Sequence, residues 1–211
     1  MMHINMRFIG ITGGVGAGKS AILSYLAQKP RTKVMLADEI AHELMKPGTD
    51  CYHKIVERFA REDILGEQVF EGYPPFDKGK LAKVIFSDAK KREAMNAIVH
   101  PAVKEYVKEK YALELEKGQL DLLVLEAALL IEEEYDEICD ELWYIYTSEE
   151  NRRKRLTESR GYSQEKISQI FNSQLSETEF REGTQVTIDN NGDLEETYNQ
   201  IEKALRRNAN E

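Results

Sequence analysis

Residues 13–20 have the sequence GGVGAGKS, which satisfies the pattern GxxxxGK[ST]. Its glycines let the backbone turn so that successive N–H groups point inward, where they can donate to the oxygens of an anion. The lysine brings a positive charge to the outer phosphates of a nucleotide, and the serine hydroxyl can bind Mg²⁺. The residues expected to hold a nucleotide's phosphates are Gly13, Gly14, Val15, Gly16, Ala17, Gly18, Lys19 and Ser20.

The flanking sequence favours a phosphate-binding loop over a glycine-rich turn with an accidental lysine and serine. Arg7–Thr12 (RFIGIT) predicts a short buried strand, and Lys19–Gln28 predicts a helix. Strand, glycine loop and helix, in that order, is the context that a P-loop needs. A P-loop alone does not distinguish kinases, GTPases and ATPase motors. The short chain resembles the small-metabolite kinases, and the sequence has no NKxD-type guanine signature.

Composition limits the remaining classes. The chain has 211 residues, of which 41% are hydrophobic and 32% charged, as in a globular protein. A net charge of -9 argues against a broad nucleic-acid-binding surface. Cys51 and Cys139 form no CxxC pair and predict neither a disulfide framework nor a metal site. Without a signal-peptide or membrane-span pattern, the sequence predicts a cytoplasmic protein with no membrane, nucleic-acid or obligate protein partner.

Strand patterns alternate with helical patterns along the chain, which predicts an α/β fold with a parallel sheet and ligand sites at the carboxyl ends of its strands. Besides the first strand, the predicted strands are Lys33–Ala37, Leu120–Glu126, Glu141–Tyr146 and Gln185–Ile188. No convincing strand occurs from Ala41 to Lys117, where the pattern indicates a helical insertion. The expected architecture is therefore a three-layer P-loop NTPase fold with a five-stranded parallel sheet, a helical insertion and a short helical lid.

This architecture predicts three domains. Residues 1–40, 119–148 and 184–211 would form the nucleotide-binding core, and residues 41–118 the helical acceptor-binding domain. Residues 149–183 would form the lid.

Two carboxylates follow predicted strands. Asp38 is placed to orient an acceptor hydroxyl and accept its proton during phosphoryl transfer, although an aspartate here would also suit a helix N-cap. Glu126 ends the third strand and could act on the water shell of a metal, or be an ordinary carboxylate at a strand end.

Residues 152–155 (RRKR) form a dense basic segment in this acidic chain. Arginine suits phosphate because its planar fork bonds two oxygens at once, and a mobile lid could carry such a group over ATP. We assign this role to Arg155. For Arg152, Arg153 and Lys154 we favour a solvated helix face paired with nearby glutamates.

Several motifs together resemble one family, the dephospho-CoA kinases. In order along the chain, they are FIGITGGVGAGKS (8–20), LADEIAHELMKPG (36–48), FDKGKLAKVIFSD (76–88), IVHPAV (98–103), LEAALLIEE (125–133), RRKRLTESRGYSQEKISQIFNSQ (152–174) and TIDNNG (187–192). The resemblance spans nearly the whole chain. It implies that ATP, with Mg²⁺, phosphorylates the ribose 3'-hydroxyl of dephospho-CoA, the last step of coenzyme A synthesis.

The resemblance also implies roles for individual residues. Lys19, Asp38 and Arg155 would be catalytic, with Asp38 as the base that activates the 3'-hydroxyl and Ser20 as the metal ligand. Asn190 and Gly192 would border the adenine. The residues expected near the acceptor are Asp38, Lys78, His100, Leu129, Leu130 and Glu132. A helix-capping role would explain His100 equally well.

The chain departs from the family pattern at several positions. Leu36 replaces the first aspartate of a DAD motif, Lys78 replaces an arginine, and Ala128 replaces a proline. The spacing from Arg155 to Arg160 is longer than usual. These departures keep two alternatives open: a P-loop kinase of another nucleotide or nucleoside, and a nucleotide-binding regulator without transfer activity.

Overall fold

The structure, a computed structural model, describes residues 6–69 and 71–207. These residues divide into two compact units. One contains the residues up to Met35 and from Glu114 onward, and the other contains Leu36–Leu113. No helix within the described ranges has both the length and the apolar character needed to cross a bilayer.

The first unit is built on a five-stranded sheet. Its strands are β1 (Arg7–Thr12), β2 (Thr32–Leu36), β3 (Leu122–Glu126), β4 (Glu141–Tyr146) and β5 (Val186–Asp189). Their order is β2-β3-β1-β4-β5, and the β1–β3, β1–β4 and β4–β5 pairs are parallel. The predicted five-stranded parallel sheet is confirmed, with strand limits that differ from the predicted ones by at most two residues.

The central strands are buried along most of their length. β1 and β3 are apolar at nearly every position because both faces of a sheet of this kind are covered by other elements. Ile9, Ile11, Val124, Trp143 and Ile145 are among the fully buried side chains of this core.

Helices of the first unit follow the strands. They are α1 (Lys19–Ala27), α6 (Glu149–Arg160), α7 (Gln164–Asn172), α8 (Glu177–Glu182) and α9 (Leu194–Arg207), and a 3₁₀ turn covers Tyr135–Glu137. Ser148, Ser163 and Ser176 cap α6, α7 and α8, each accepting a backbone N–H from the first turn. The charged segment between β4 and β5 is thus three short, individually capped helices.

The second unit is helical, and its helices are α2 (Ala37–Leu44), α3 (Asp50–Arg58), α4 (Lys78–Ser87) and α5 (Ala89–Lys117). α5 runs through Pro101 and extends into the residues of the first unit. Between α3 and α4 a loop is pinned to α3, because the Tyr52 hydroxyl donates to the Pro74 carbonyl at 2.6 Å. The Tyr52 ring also lies 4.9 Å from that of Phe76.

Two predicted capping roles are wrong. α2 begins at Ala37 with Leu36 as its N-cap residue, so Asp38 lies inside the first turn and does not cap the helix. His100 lies well inside α5, far from either end, so it is not a helix cap.

Both cysteines are free thiols with buried side chains. Burial raises the pKa of the Cys139 thiol to about 12, so this group stays neutral at physiological pH. We assign neither cysteine a chemical role.

Candidate active site

The loop over residues 13–18 joins β1 to α1 at the carboxyl edge of the sheet, beside the central strand. Gly18 precedes α1 with a φ of 87°, and none of the described side chains caps this helix. The part of the chain that the structure describes thus gives the start of α1 no side-chain acceptor, and the helix dipole favours a negative group there. The local structure is that of an anion site.

Gly13 is required where the loop leaves β1. Its φ is 147°, a backbone conformation that residues with a side chain rarely adopt. A Cβ atom at this position would lie 2.7 Å from the Ile145 carbonyl oxygen, which belongs to the backbone of β4.

Gly13→Ala is therefore expected to lower the free energy of unfolding by about 1–3 kcal/mol from backbone strain, with a further loss from the contact with β4. Gly118→Ala is the matched control because Gly118 also has a positive φ, 59°, but nothing lies within 4 Å of a Cβ placed there. Urea unfolding of both variants measures the difference. Equal losses would show that neither the larger φ of Gly13 nor its contact with Ile145 adds to the cost.

Lys19 lies inside the curve of the loop. Its ammonium donates to the Gly13 carbonyl at 2.7 Å and lies 3.5 Å from the Glu126 carboxylate. Both side chains are largely buried, at 16% and 19% exposed. Glu126 is therefore at the phosphate loop, because its strand pairs with β1 in a register that places it opposite Ile11.

A second group of contacts fastens the far side of the loop. The Ala17 carbonyl accepts hydrogen bonds from Asn190 Nδ2 at 2.7 Å, Thr147 Oγ1 at 3.0 Å and Arg155 Nη1 at 3.3 Å. Arg155 Nη2 also donates to the Asn190 carbonyl at 2.7 Å. The loop after β5 and helix α6 are thus tied to the phosphate loop.

The structure changes the interpretation of Arg155 and Asn190. Sequence reasoning expected a lid arginine directed at the transferring phosphate and an asparagine beside adenine. Here both side chains bind backbone carbonyls, and Asn190 is only 3% exposed. Their catalytic and adenine-binding roles stay predictions, while their contacts in this structure position the loop.

The predicted environment of Arg152 is wrong. We expected it on a solvated face, but its Nε donates to the Val15 carbonyl at 2.9 Å and its Nη2 to Gln174 Oε1 at 2.6 Å. Its guanidinium lies 4.1 Å from the centre of the Phe171 ring, and a side chain at Gly14 would collide with it. Burial lowers the pKa of Arg152, although an arginine stays charged.

A signal for Arg152 was present in the sequence. Residues three apart share a helix face, so the face that carries Arg155 also carries Arg152. The expectation for its neighbours is correct: Arg153 pairs with Glu149 at 2.7 Å, and Lys154 is exposed. Gln174 and Thr147 had no comparable signal, because their partners are backbone atoms or side chains of distant segments.

The remaining predicted residues of the first unit lie in three places. Ser20 is exposed in the first turn of α1, and Gly192 is exposed after β5. Leu129 and Glu132 are exposed between β3 and the 3₁₀ turn. Leu130 is fully buried, and its methyl group is so close to Gly10 that a Cβ there would lie 2.9 Å away. The side chain of Leu130 thus packs in the core, and its contact with the acceptor stays a prediction.

The second unit holds Asp38, Lys78 and His100. Asp38 is exposed in the first turn of α2, two residues after β2 ends. Lys78 is exposed at the first residue of α4, next to the capping residue Asp77. His100 is half-buried in α5.

Sheet order, glycine loop, Lys19 and the uncapped α1 together define a P-loop protein of the nucleotide-dependent kinase class. The model of the dephospho-CoA kinase family matches residues 7–196. A dephospho-CoA kinase of Shouchella clausii is 34% identical over 203 residues, covering 96% of this chain and 99% of the relative. The chain belongs to the dephospho-CoA kinase family and is a transferase.

Solved structures agree with the fold. A Thermus thermophilus protein superposes with a TM-score of 0.71 at 27% identity, covering 96% of this chain and 98% of that one. The dephospho-CoA kinase from Campylobacter jejuni superposes with a TM-score of 0.64 over 94% and 95% of the two chains. Its 19% identity supports the fold alone.

Proposed function

We propose that this chain transfers the γ-phosphoryl group of ATP to the ribose 3'-hydroxyl of dephospho-CoA, which yields ADP and CoA and completes coenzyme A biosynthesis. The observation that carries the proposal is the family match over residues 7–196, together with a phosphate loop that keeps Lys19 at its centre. We further propose a cytoplasmic location, as the sequence pattern suggests.

ATP would bind with its phosphates on the amides of residues 13–20 and on the first turn of α1. Lys19 would move its ammonium from the Gly13 carbonyl to the outer phosphates, where it neutralises charge that develops during transfer. Asn190 and Gly192 would border the adenine, and Arg155 would stabilise the transferring group from α6.

The donor set at the loop fits Mg²⁺. No group of three His, Cys, Asp or Glu side chains among the described residues could hold a metal without help. Mg²⁺ in kinases needs no such group, since it binds through one or two protein oxygens, waters and the substrate's phosphates. We propose that Ser20 supplies the hydroxyl ligand and that Glu126 orients a bound water. The ion would supply charge neutralisation at the phosphates.

The acceptor would be bound by the unit Leu36–Leu113, with residues 149–183 as the lid. Asp38 would align the 3'-hydroxyl and accept its proton, and Lys78 and His100 would contact anionic groups of the acceptor. Leu129 and Glu132 would contribute from the segment after β3. Lys78 keeps the charge of the family's arginine but lacks its bidentate fork, so we expect weaker acceptor binding than in relatives with arginine.

The test is ADP release from the purified protein with Mg-ATP, measured with and without dephospho-CoA and followed by mass analysis of the acceptor. We expect release that depends on the acceptor and a product heavier by one phosphoryl group. A panel of nucleosides and nucleotides serves as the control. Transfer to a panel member while dephospho-CoA stays inert would indicate a kinase with another acceptor. Tight ATP binding without transfer would indicate a regulator, which Leu36 and Lys78 make a specific alternative.

A further inference from the structure

One side-chain oxygen beside the phosphate loop accepts two hydrogen bonds. Gln174 lies two residues after α7 ends, and its Oε1 accepts hydrogen bonds from the Val15 amide at 3.3 Å and from Arg152 Nη2 at 2.6 Å. Nothing in the family resemblance assigns this arrangement.

The two donors have the character of phosphate ligands. Val15 is the third residue of the phosphate loop, and inward amides of such loops donate to phosphate oxygens. A guanidinium is the side chain best suited to the same task, because its N–H groups form charge-assisted bonds with phosphate. Two such donors that meet at one point mark a position where an anionic oxygen binds better than a neutral amide oxygen.

The position of Arg152 is fixed independently of Gln174. Its Nε donates to the Val15 carbonyl at 2.9 Å, and its guanidinium lies on the Phe171 ring. If Gln174 withdrew, this anchoring would keep the guanidinium beside the loop while freeing Nη2 for another acceptor.

We propose that Gln174 Oε1 is a placeholder for an oxygen of the nucleotide's outer phosphates, and that Arg152 is a phosphate ligand of this enzyme. In the free protein, Gln174 satisfies Val15 N–H and Arg152 Nη2. When the nucleotide binds, a phosphate oxygen replaces the amide oxygen at both donors. The inference rests on the proposed nucleotide site but not on the identity of the acceptor.

If Gln174 is a placeholder, Gln174→Met raises the affinity for nucleotide. If Gln174 only supports the loop, the same variant lowers that affinity. Gln174→Met keeps the length of the side chain and removes the competing oxygen, so nucleotide binding no longer breaks an internal bond. The variant removes the hydrogen bond between Gln174 and the charged Arg152 guanidinium, so we expect ATP and ADP to bind about tenfold more tightly. A purely supporting role would give weaker binding instead, because the loop would lose support.

Arg152→Met tests the second half of the proposal. We expect it to weaken ATP and ADP binding by about tenfold or more and to leave adenosine binding unchanged, because adenosine has no phosphate. Arg153→Met is the matched control, since Arg153 also lies against the Phe171 ring, at 5.0 Å, but pairs with Glu149. It is expected to bind all three compounds as the unmodified protein does.

Calorimetric titration of the full chain with ATP, ADP and adenosine, without acceptor, makes both measurements. Thermal unfolding of each variant verifies that it is folded. Weaker or unchanged nucleotide binding by Gln174→Met would overturn the placeholder, and ADP binding by Arg152→Met equal to that of Arg153→Met would overturn the phosphate contact. Absence of ATP binding by the unmodified protein would overturn both. If the variants bind nucleotides as expected but the unmodified protein does not phosphorylate dephospho-CoA, only the proposed function is contradicted.

Discussion

Lys19→Ala is expected to reduce acceptor-dependent ADP formation by about 10³-fold. Phosphoryl transfer needs little covalent help from the protein, so charge neutralisation at the phosphates accounts for most of the rate. The ammonium of Lys19 lies against the Gly13 carbonyl of the loop, and its 16% exposure limits screening by solvent. Stopped assays of ADP formation under saturating Mg-ATP measure the effect.

Lys154→Ala is the control for Lys19. It removes the same side chain from an exposed position on α6 and is expected to retain full activity. Lys19→Ala also removes a charge-assisted hydrogen bond to the Gly13 carbonyl, which contributes about 1.5–3 kcal/mol to stability, and the cation beside Glu126. Thermal unfolding of the variant therefore verifies that the assay measures folded protein. Comparable rates for the two variants would exclude Lys19 from the phosphoryl-transfer step.

Asp38→Asn is expected to lower kcat by about 10²–10⁴-fold while ATP binding changes little. Asparagine keeps the shape of aspartate and an oxygen that accepts a hydrogen bond, but it cannot accept the proton of the 3'-hydroxyl. The affinity for ATP is expected to persist because the phosphates bind to residues 13–20. Turnover gives kcat, and calorimetric titration with ATP gives the affinity.

Glu39→Gln provides a matched control for Asp38. Both carboxylates are exposed in the first turn of α2, where each stabilises the positive end of the helix by about 0.3–1 kcal/mol. The two variants should therefore lose similar stability, and a difference in turnover reports chemistry. If Asp38→Asn turned over as fast as Glu39→Gln, Asp38 would not be the base.

Sequence patterns predicted the sheet well because its signals are local. A buried parallel strand needs a continuous apolar run, and the stretches at Arg7–Thr12 and Glu141–Tyr146 match β1 and β4 residue for residue. The phosphate loop was equally accessible, since its glycines, lysine and serine are adjacent in the chain.

The contacts that shape the loop were less accessible because they join distant segments. Arg152 was misjudged since its many acidic neighbours in sequence suggested surface pairing, whereas a carbonyl and an aromatic ring bind it. The burial of Leu130 against Gly10 was also not evident from the sequence, because a family motif gives the position of a residue and not the direction of its side chain. A sequence pattern identifies residues whose side chains suit a reaction, and tertiary packing determines which of their atoms are in contact.

The central position of β1 in the sheet delays its pairing while the chain is synthesised. This strand is made first, yet its neighbours in the sheet are β3 and β4, which include Leu122–Glu126 and Glu141–Tyr146. At about 5–20 residues per second, a ribosome needs on the order of ten seconds to supply them. During that interval Phe8, Ile9 and Ile11 have no sheet to join, and unpaired apolar strands tend to aggregate. Synthesis is therefore the stage at which the apolar residues of β1 are exposed for longest.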